Sequence, residues 1–437
     1  MNRPRSISRV FSALLLLAAW VSATAPALAQ TPDTAPISRT ESLSDAVDID
    51  LRVWQAEGPH LLLWIAPSFG FRTGHAEMAA ALAARGVEVW QADFNEALFL
   101  PRGSTGMRQV DGKYVADLVE RAHAATGKRV ILVSGSYGAI PVLRGAREWQ
   151  ARAPSTPYLI GAVLLSPNAY AGIPPLGTDP QYLPIVHATT LPLLIYQAGA
   201  NGNRWQMPRL IDALREGGAT VYAEILPGIT GLFYEDEDRK SAAVQAQATR
   251  LPARLAGMLP LLELTPTPLQ AATLPEEPRE SARSLDIGLR PYQADPEPRP
   301  LRLPDADGDV HTLDMNDYRG QVTVVNFWAT WCPPCVEEIP SLNRLKQAMQ
   351  DRPFELISVN YAEGPETIRA FMDKVQVDFP VLIDADGSEA AKWNVLAFPS
   401  TFVIGPDGRI RYGVNAAIAW DASEVIARLG ELAAEVR

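Results

Sequence analysis

Between positions 265 and 300 the chain carries eight prolines, at 266, 268, 275, 278, 291, 296, 298 and 300. Each proline removes a backbone donor and fixes φ, so neither helix nor sheet is expected there. Glu276, Glu277, Arg279, Glu280 and Arg283 add charge. Residues 265–297 therefore read as an extended linker with some docking onto its neighbours. It separates a domain at 40–264 from one at 298–437, and a length of 437 residues suits two or three domains rather than one. No internal repeat is evident.

Composition excludes several classes of function. The apolar fraction of 47% is ordinary for globular proteins and argues against general disorder and against a multi-span membrane protein. A net charge of −11 argues against a nucleic-acid partner, which needs a basic surface. Residues 1–29 read as a secretory signal peptide. Arg3, Arg5 and Arg9 precede the mostly apolar 10–20, and Ala27-Leu28-Ala29 places small residues before a cleavage at Gln30. An uncleaved anchor is the alternative, but the apolar core is short for a bilayer. Arg5 and Arg9 are not a twin-arginine pair, so transport in the unfolded state is expected. No later apolar run reaches ~18 residues, so no stable membrane span is expected after processing.

The chain has two cysteines, Cys332 and Cys335. They follow the apolar, β-branched run 323–328, which fits a buried strand. After them Ile339, Leu342, Leu345 and Met349 recur at helical spacing. The pair thus lies at a strand-to-helix junction. Cys332 is expected near the helix N-terminus, where the dipole favours a thiolate, and Cys335 one turn on, able to close a disulfide. A zinc site would need about four ligands; the domain has no second CxxC, and His311 is its one histidine. Haem attachment would need a histidine where Val336 stands. A purely structural bridge would close too small a loop to stabilise much. A redox-active dithiol is the favoured reading, with no cofactor or metal.

The segment Asn326-Phe327-Trp328-Ala329-Thr330-Trp331-Cys332-Pro333-Pro334-Cys335 resembles the thioredoxin fold, and specifically the TlpA/ResA-like periplasmic thiol-disulfide oxidoreductases. Residues 303–308 with Tyr318-Arg319-Gly320 resemble that family's entry hairpin. Residues 397–402 resemble its cis-proline segment, and 405–408 its following turn. The gap between Cys335 and Pro399 leaves room for the family's helix-containing insertion, expected within 361–380. The resemblance implies a nucleophilic Cys332, a resolving Cys335, and a cis Pro399 that, with Trp331 and Phe398, meets an extended substrate. Typical thioredoxins hold a buried Asp where Asn326 stands, so that role must be missing or relocated. Residues 359–363 resemble the segment that brings a carboxylate near the cysteines, which makes Glu363 the expected proton acceptor for Cys335. A solvated glutamate at a helix start is the alternative. Pro333 and Pro334 offer no N–H to a Cys332 thiolate, and Glu337 and Glu338 add negative charge. Both oppose a depressed thiol pKa, so a reductant is expected rather than a DsbA-like oxidase.

In the N-terminal half, 60–66, 87–92, 129–133, 159–165, 192–197 and 220–226 are strand candidates, with helical stretches such as 77–84, 113–125 and 208–216 between them. This alternation predicts α/β architecture, a mainly parallel sheet with helices on both faces, followed by the thioredoxin-like domain. Ser134-Gly135-Ser136-Tyr137-Gly138 sits between a strand and the helical 139–148, the context of a nucleophile elbow. It resembles the α/β-hydrolase fold, with 67–70 at the oxyanion loop. The other triad members are missing. No carboxylate follows 192–197 or 159–165, and Gly231 stands where the histidine is expected. His75 or His187 could substitute only through an unusual geometry. Without a base Ser136 is a weak hydroxyl, so the fold is expected to bind or dock rather than hydrolyse.

These readings converge on an exported, periplasmic disulfide reductase. By resemblance its electrons come from a membrane thiol donor of the DsbD/CcdA type. Its partners are disulfide-bearing protein substrates, among which apocytochromes c or copper-site assembly proteins are candidates. A serine hydrolase using Ser136 with an appended redox domain is the competing reading. A pure binding module is the third.

Overall fold

The computed structural model describes residues 35–152, 154–172, 175–199, 201–229, 242–276 and 289–435. The expected signal peptide, the central part of the linker and Gly231 lie outside the described residues.

The N-terminal domain is built on eight strands: β1 (Ile37–Ser42), β2 (Asp48–Trp54), β3 (His60–Ile65), β4 (Glu88–Ala92), β5 (Arg129–Gly135), β6 (Leu159–Leu165), β7 (Leu193–Ala198) and β8 (Val221–Leu226). Their order across the sheet is β1-β2-β4-β3-β5-β6-β7-β8. All six strands expected from the sequence are present and mutually parallel. Residues 37–54 add an antiparallel hairpin at one edge, which the sequence reading missed. In β2 the burial alternates, with Ile49, Leu51 and Val53 inward, so it lacks the continuous apolar run of a central parallel strand.

Seven helices cover the sheet: α1 (Thr73–Ala83), α2 (Phe94–Ala97), α3 (Ser104–Gln109), α4 (Gly112–Thr126), α5 (Ala139–Ala151), α6 (Met207–Glu216) and α7 (Ala242–Leu264). Helices α4, α5 and α6 pack on one face through residues such as Val115, Val142 and Leu214. Helices α1 and α7 pack on the other through Met78, Leu82, Leu255 and Leu259. The sheet is thereby closed on both sides, and each fully buried Val or Leu stabilises the fold by roughly 1.5–3 kcal/mol.

The C-terminal domain has β9 (Arg290–Pro291), β10 (Leu301–Pro304), β11 (Val310–Leu313), β12 (Val322–Trp328), β13 (Phe354–Tyr361), β14 (Val381–Asp384), β15 (Ser400–Ile404) and β16 (Ile410–Val414). Its helices are α8 (Pro333–Ala348), α9 (Pro365–Met372), α10 (Ser388–Lys392) and α11 (Ser423–Ala433). Strands β10 and β11 form a separate hairpin, and the six-stranded sheet runs β14-β13-β12-β15-β16-β9. Central β12 is parallel to β13 and antiparallel to β15, and all seven of its residues are buried. This is a thioredoxin-like domain. Within 361–380, the range expected for an insertion, lies α9, and β14 follows just beyond. Among its described residues the linker departs from expectation at Arg290 and Pro291, which pair with Gly413 and Tyr412 as a short edge strand. A proline is tolerated there because an edge strand leaves one row of backbone groups unpaired.

Candidate active site

The turn after β12 delivers the two cysteines. Cys332 is the N-cap of α8 and Pro333 opens the first turn, where its missing N–H is no loss and its fixed φ suits the helix. Cys332 and Cys335 form a disulfide, with Cys335 fully buried and Cys332 nearly so. The first two helical residues are prolines without N–H groups. The next two, Cys335 and Val336, donate to the Cys332 carbonyl at 3.0 and 3.1 Å. The backbone donors that could stabilise a Cys332 thiolate are therefore absent or already engaged, and the helix dipole is left as the favourable influence.

One turn beyond Cys335 lies Glu338. Positions three apart on a helix are surface neighbours, about 5–6 Å between Cβ atoms. Glu338 is not a solvated charge, as its place beside Glu337 suggested. Glu337 is exposed, whereas Glu338 is buried. Asn326 Nδ2 donates to it at 2.8 Å and Trp420 Nε1 at 3.1 Å. Burial pushes its pKa up to about 7, against the opposing influence of these hydrogen bonds. A buried carboxylate thus stands on α8 where β12 carries Asn326, and Asn326 donates to it. The helical stripe carried the signal. Positions 335, 338, 339, 342 and 345 share one face, so Glu338 falls inside the buried arc.

Glu363 lies elsewhere in the site. It follows β13 and accepts hydrogen bonds from Thr330 N (2.8 Å), Thr330 Oγ1 and Asn360 Nδ2 (2.8 Å). Its carboxylate pins the turn that leads into Cys332, through hydrogen bonds with Thr330 and Asn360 rather than with a cysteine. Neither a solvated helix-start residue nor a direct partner of Cys335 describes this geometry.

Facing the cysteines is the loop before β15. The Phe398–Pro399 peptide is cis. The register places Ser400 opposite Phe327, which brings Pro399 beside the end of β12. Phe398 meets Trp331 edge-to-face at 5.8 Å, and Trp331 is 53% exposed. A dithiol at a helix start, a buried titratable carboxylate one turn on and an aromatic-walled proline loop form one site. Residues 298–413 match the AhpC/TSA family. Through this domain the chain belongs to the thioredoxin-like thiol-disulfide oxidoreductases. It is 34% identical over 109 residues to thiol-disulfide oxidoreductase ResA of Geobacillus thermodenitrificans, covering 25% of this chain and 62% of that protein. It is 31% identical over 129 residues to thioredoxin-like protein YneN of Bacillus subtilis, covering 29% of this chain and 72% of that one. A crystal structure of a putative thiol:disulfide interchange protein DsbE from Chlorobium tepidum aligns over 33% of this chain and 99% of its own, at 22% identity and TM-score 0.29. The chain thus spans about three-fifths of the ResA relative's length. Outside the oxidoreductase domain lies an α/β domain whose family these matches leave unidentified.

That domain has its own strand-to-helix turn. Ser136 follows β5 with φ +52°, a conformation few non-glycine residues adopt. A Cβ at Gly138 would collide with Ser134 Oγ and crowd the Ala66 carbonyl. The histidines proposed as substitutes are placed differently. His75 is buried, its Nδ1 accepts from Arg72 N at 2.9 Å, and desolvation lowers its pKa to about 3. His187 is exposed on the turn Val186–Ala188. After β7, Asn201 caps the next turn by accepting from Asn203 N at 3.0 Å. Phe69, at the position read as the oxyanion loop, is 65% exposed. Among the described residues no helix is long and apolar enough to cross a membrane, and no His/Cys/Asp/Glu group could hold a metal.

Proposed function

We propose that the protein reduces disulfides in exported protein substrates. The Cys332 thiolate attacks one substrate sulfur, forming a mixed disulfide and releasing one substrate thiolate. Cys335 gives its proton to Glu338 and attacks the Cys332 sulfur. The second substrate thiol leaves and the Cys332–Cys335 disulfide forms, so two electrons pass from the dithiol to the substrate. A buried carboxylate titrating near 7 suits this exchange, because a general base works best with a pKa near the operating pH. The observation that carries the reading is this carboxylate one turn from the disulfide. Trp331, Phe398 and Pro399 receive the substrate chain, and Glu363 holds the turn.

The reducing direction follows from the proline pair, which leaves the thiolate poorly stabilised. The first 29 residues direct the chain to the periplasm. A membrane thiol donor of the DsbD/CcdA type restores the dithiol, and apocytochromes c or copper-site proteins are the substrate classes to try first. The N-terminal domain is a hydrolase-like scaffold that docks rather than hydrolyses. Its elbow at Ser136 favours the competing hydrolase reading, but the chain order offers no histidine where a triad base is expected. Cys335→Ser tests the main reading: it should accumulate mixed disulfides with exported proteins. Absence of any trapped species in cells expressing the full chain would overturn it.

A further inference from the structure

The N-terminal domain touches the oxidoreductase domain through the loops that follow β6 and β7. Leu176 joins the apolar cluster that also holds Tyr361, Trp393 and Phe402. Asn394 Nδ2 donates to Thr178 O at 3.0 Å, and Gln206 Nε2 donates to Asn394 Oδ1 at 3.2 Å. Arg204 bridges the domains more tightly. Its guanidinium donates to the carbonyls of Gly199 on its own side and Asp386 on the other.

Beside Arg204 the contact reaches the active site. Gly202 lies so near Tyr361 that a Cβ on it would sit 3.3 Å from the phenol oxygen. On its other flank Tyr361 is bounded by Gly387, where a Cβ would come 2.5 Å from the ring. The ring stacks at a tilt on Phe398, centroids 4.7 Å apart, and Phe398 in turn meets Trp331. Tyr361 thus lies against both glycines and against Phe398. We propose that Tyr361 is a positioning residue, through which the docked 201–206 loop fixes Phe398 and so shapes the groove from which Cys332 takes a polypeptide substrate. This rests on the reading of Trp331, Phe398 and Pro399 as that groove. A small disulfide, which needs no groove, is indifferent to it.

The test uses the full-length, prereduced chain with insulin as polypeptide disulfide and 5,5′-dithiobis(2-nitrobenzoate) as small disulfide, in single-turnover reactions. Gly202→Leu adds a side chain towards the ring from the other domain; its backbone is outside the left-handed region, and the atoms nearest an added Cβ are those of Tyr361. Tyr361→Leu removes the ring and Tyr361→Phe keeps it. Gly202→Leu and Tyr361→Leu should raise half-saturating insulin about fivefold with the maximal rate and the small-disulfide rate within about twofold, while Tyr361→Phe stays near wild type. Amide exchange over residues 396–400 should quicken about tenfold in Gly202→Leu. Unchanged half-saturation and exchange in Gly202→Leu would overturn the proposal, as would equal losses on both disulfides. If the wild type reduces neither disulfide, the reductase reading fails, and the exchange measurement still decides the role of Tyr361.

Discussion

The molecule contains two turns of the same design with different outcomes. In each, a central strand ends in a nucleophilic side chain and a helix begins. At Ser136 the backbone is held in a left-handed conformation and presents a hydroxyl. At Cys332 the backbone is extended and presents a sulfur. What separates them is the partner. Glu338 lies one turn from Cys335, buried and oriented by Asn326 and Trp420. Of the two histidine candidates for a base at Ser136, His75 is buried with its Nδ1 occupied and His187 is exposed on the turn Val186–Ala188. A hydroxyl needs a base to become a nucleophile, whereas a thiol is partly ionised near neutral pH and needs less help.

The sharpest way to break this contrast is to remove the partner from the working turn. Glu338→Gln keeps the shape and the acceptor for Trp420 but cannot take a proton. Resolution of the mixed disulfide at pH 7 should slow by about 10²-fold, in line with the usual worth of a positioned base. Stopped-flow release of the second thiol measures it. A change under about threefold would assign the proton to another group.

A second prediction concerns stability. Burial favours the protonated form of Glu338 in the folded state, so its folded pKa of about 7 exceeds the ordinary 4.5. Its contribution is fully present below pH 4.5 and is lost as pH rises through 7. The oxidised wild type should lose on the order of 3 kcal/mol relative to Glu338→Gln across that window. Urea melts of both proteins at pH 4.5 and 8 test this; parallel curves would show that Glu338 is not held neutral. Smaller still is the effect at Glu363. Replacing it by Ala leaves Thr330 and Asn360 without their acceptor and should cost about 1–3 kcal/mol in the same melts, with the dithiol still reactive.

Much of this was legible in the sequence, and the omissions have physical reasons. Strands β3, β5, β6 and β7 are largely apolar runs because both of their faces are covered, and such runs announce themselves. In the 37–54 hairpin β1 is largely exposed and β2 is buried on one face, so its inward residues are diluted by polar ones. Helix α7 hides behind Pro252 and Pro260, which read as breaks, yet the apolar stripe of Leu251, Leu255, Leu259 and Leu262 holds it on the sheet. At the active site the cysteines were unmistakable. Glu338 was not, because adjacent glutamates look like a solvated pair until the helix phase separates them. The short strand Arg290–Pro291 was invisible for the opposite reason: its pairing comes from β16, not from its own residues.

The two turns are compared most directly in one preparation of the full chain, by following insulin reduction together with fluorophosphonate labelling. The account predicts reduction that disappears in Cys332→Ser and persists in Ser136→Ala, with no label at Ser136. Labelling of the wild type that vanishes in Ser136→Ala would contradict it.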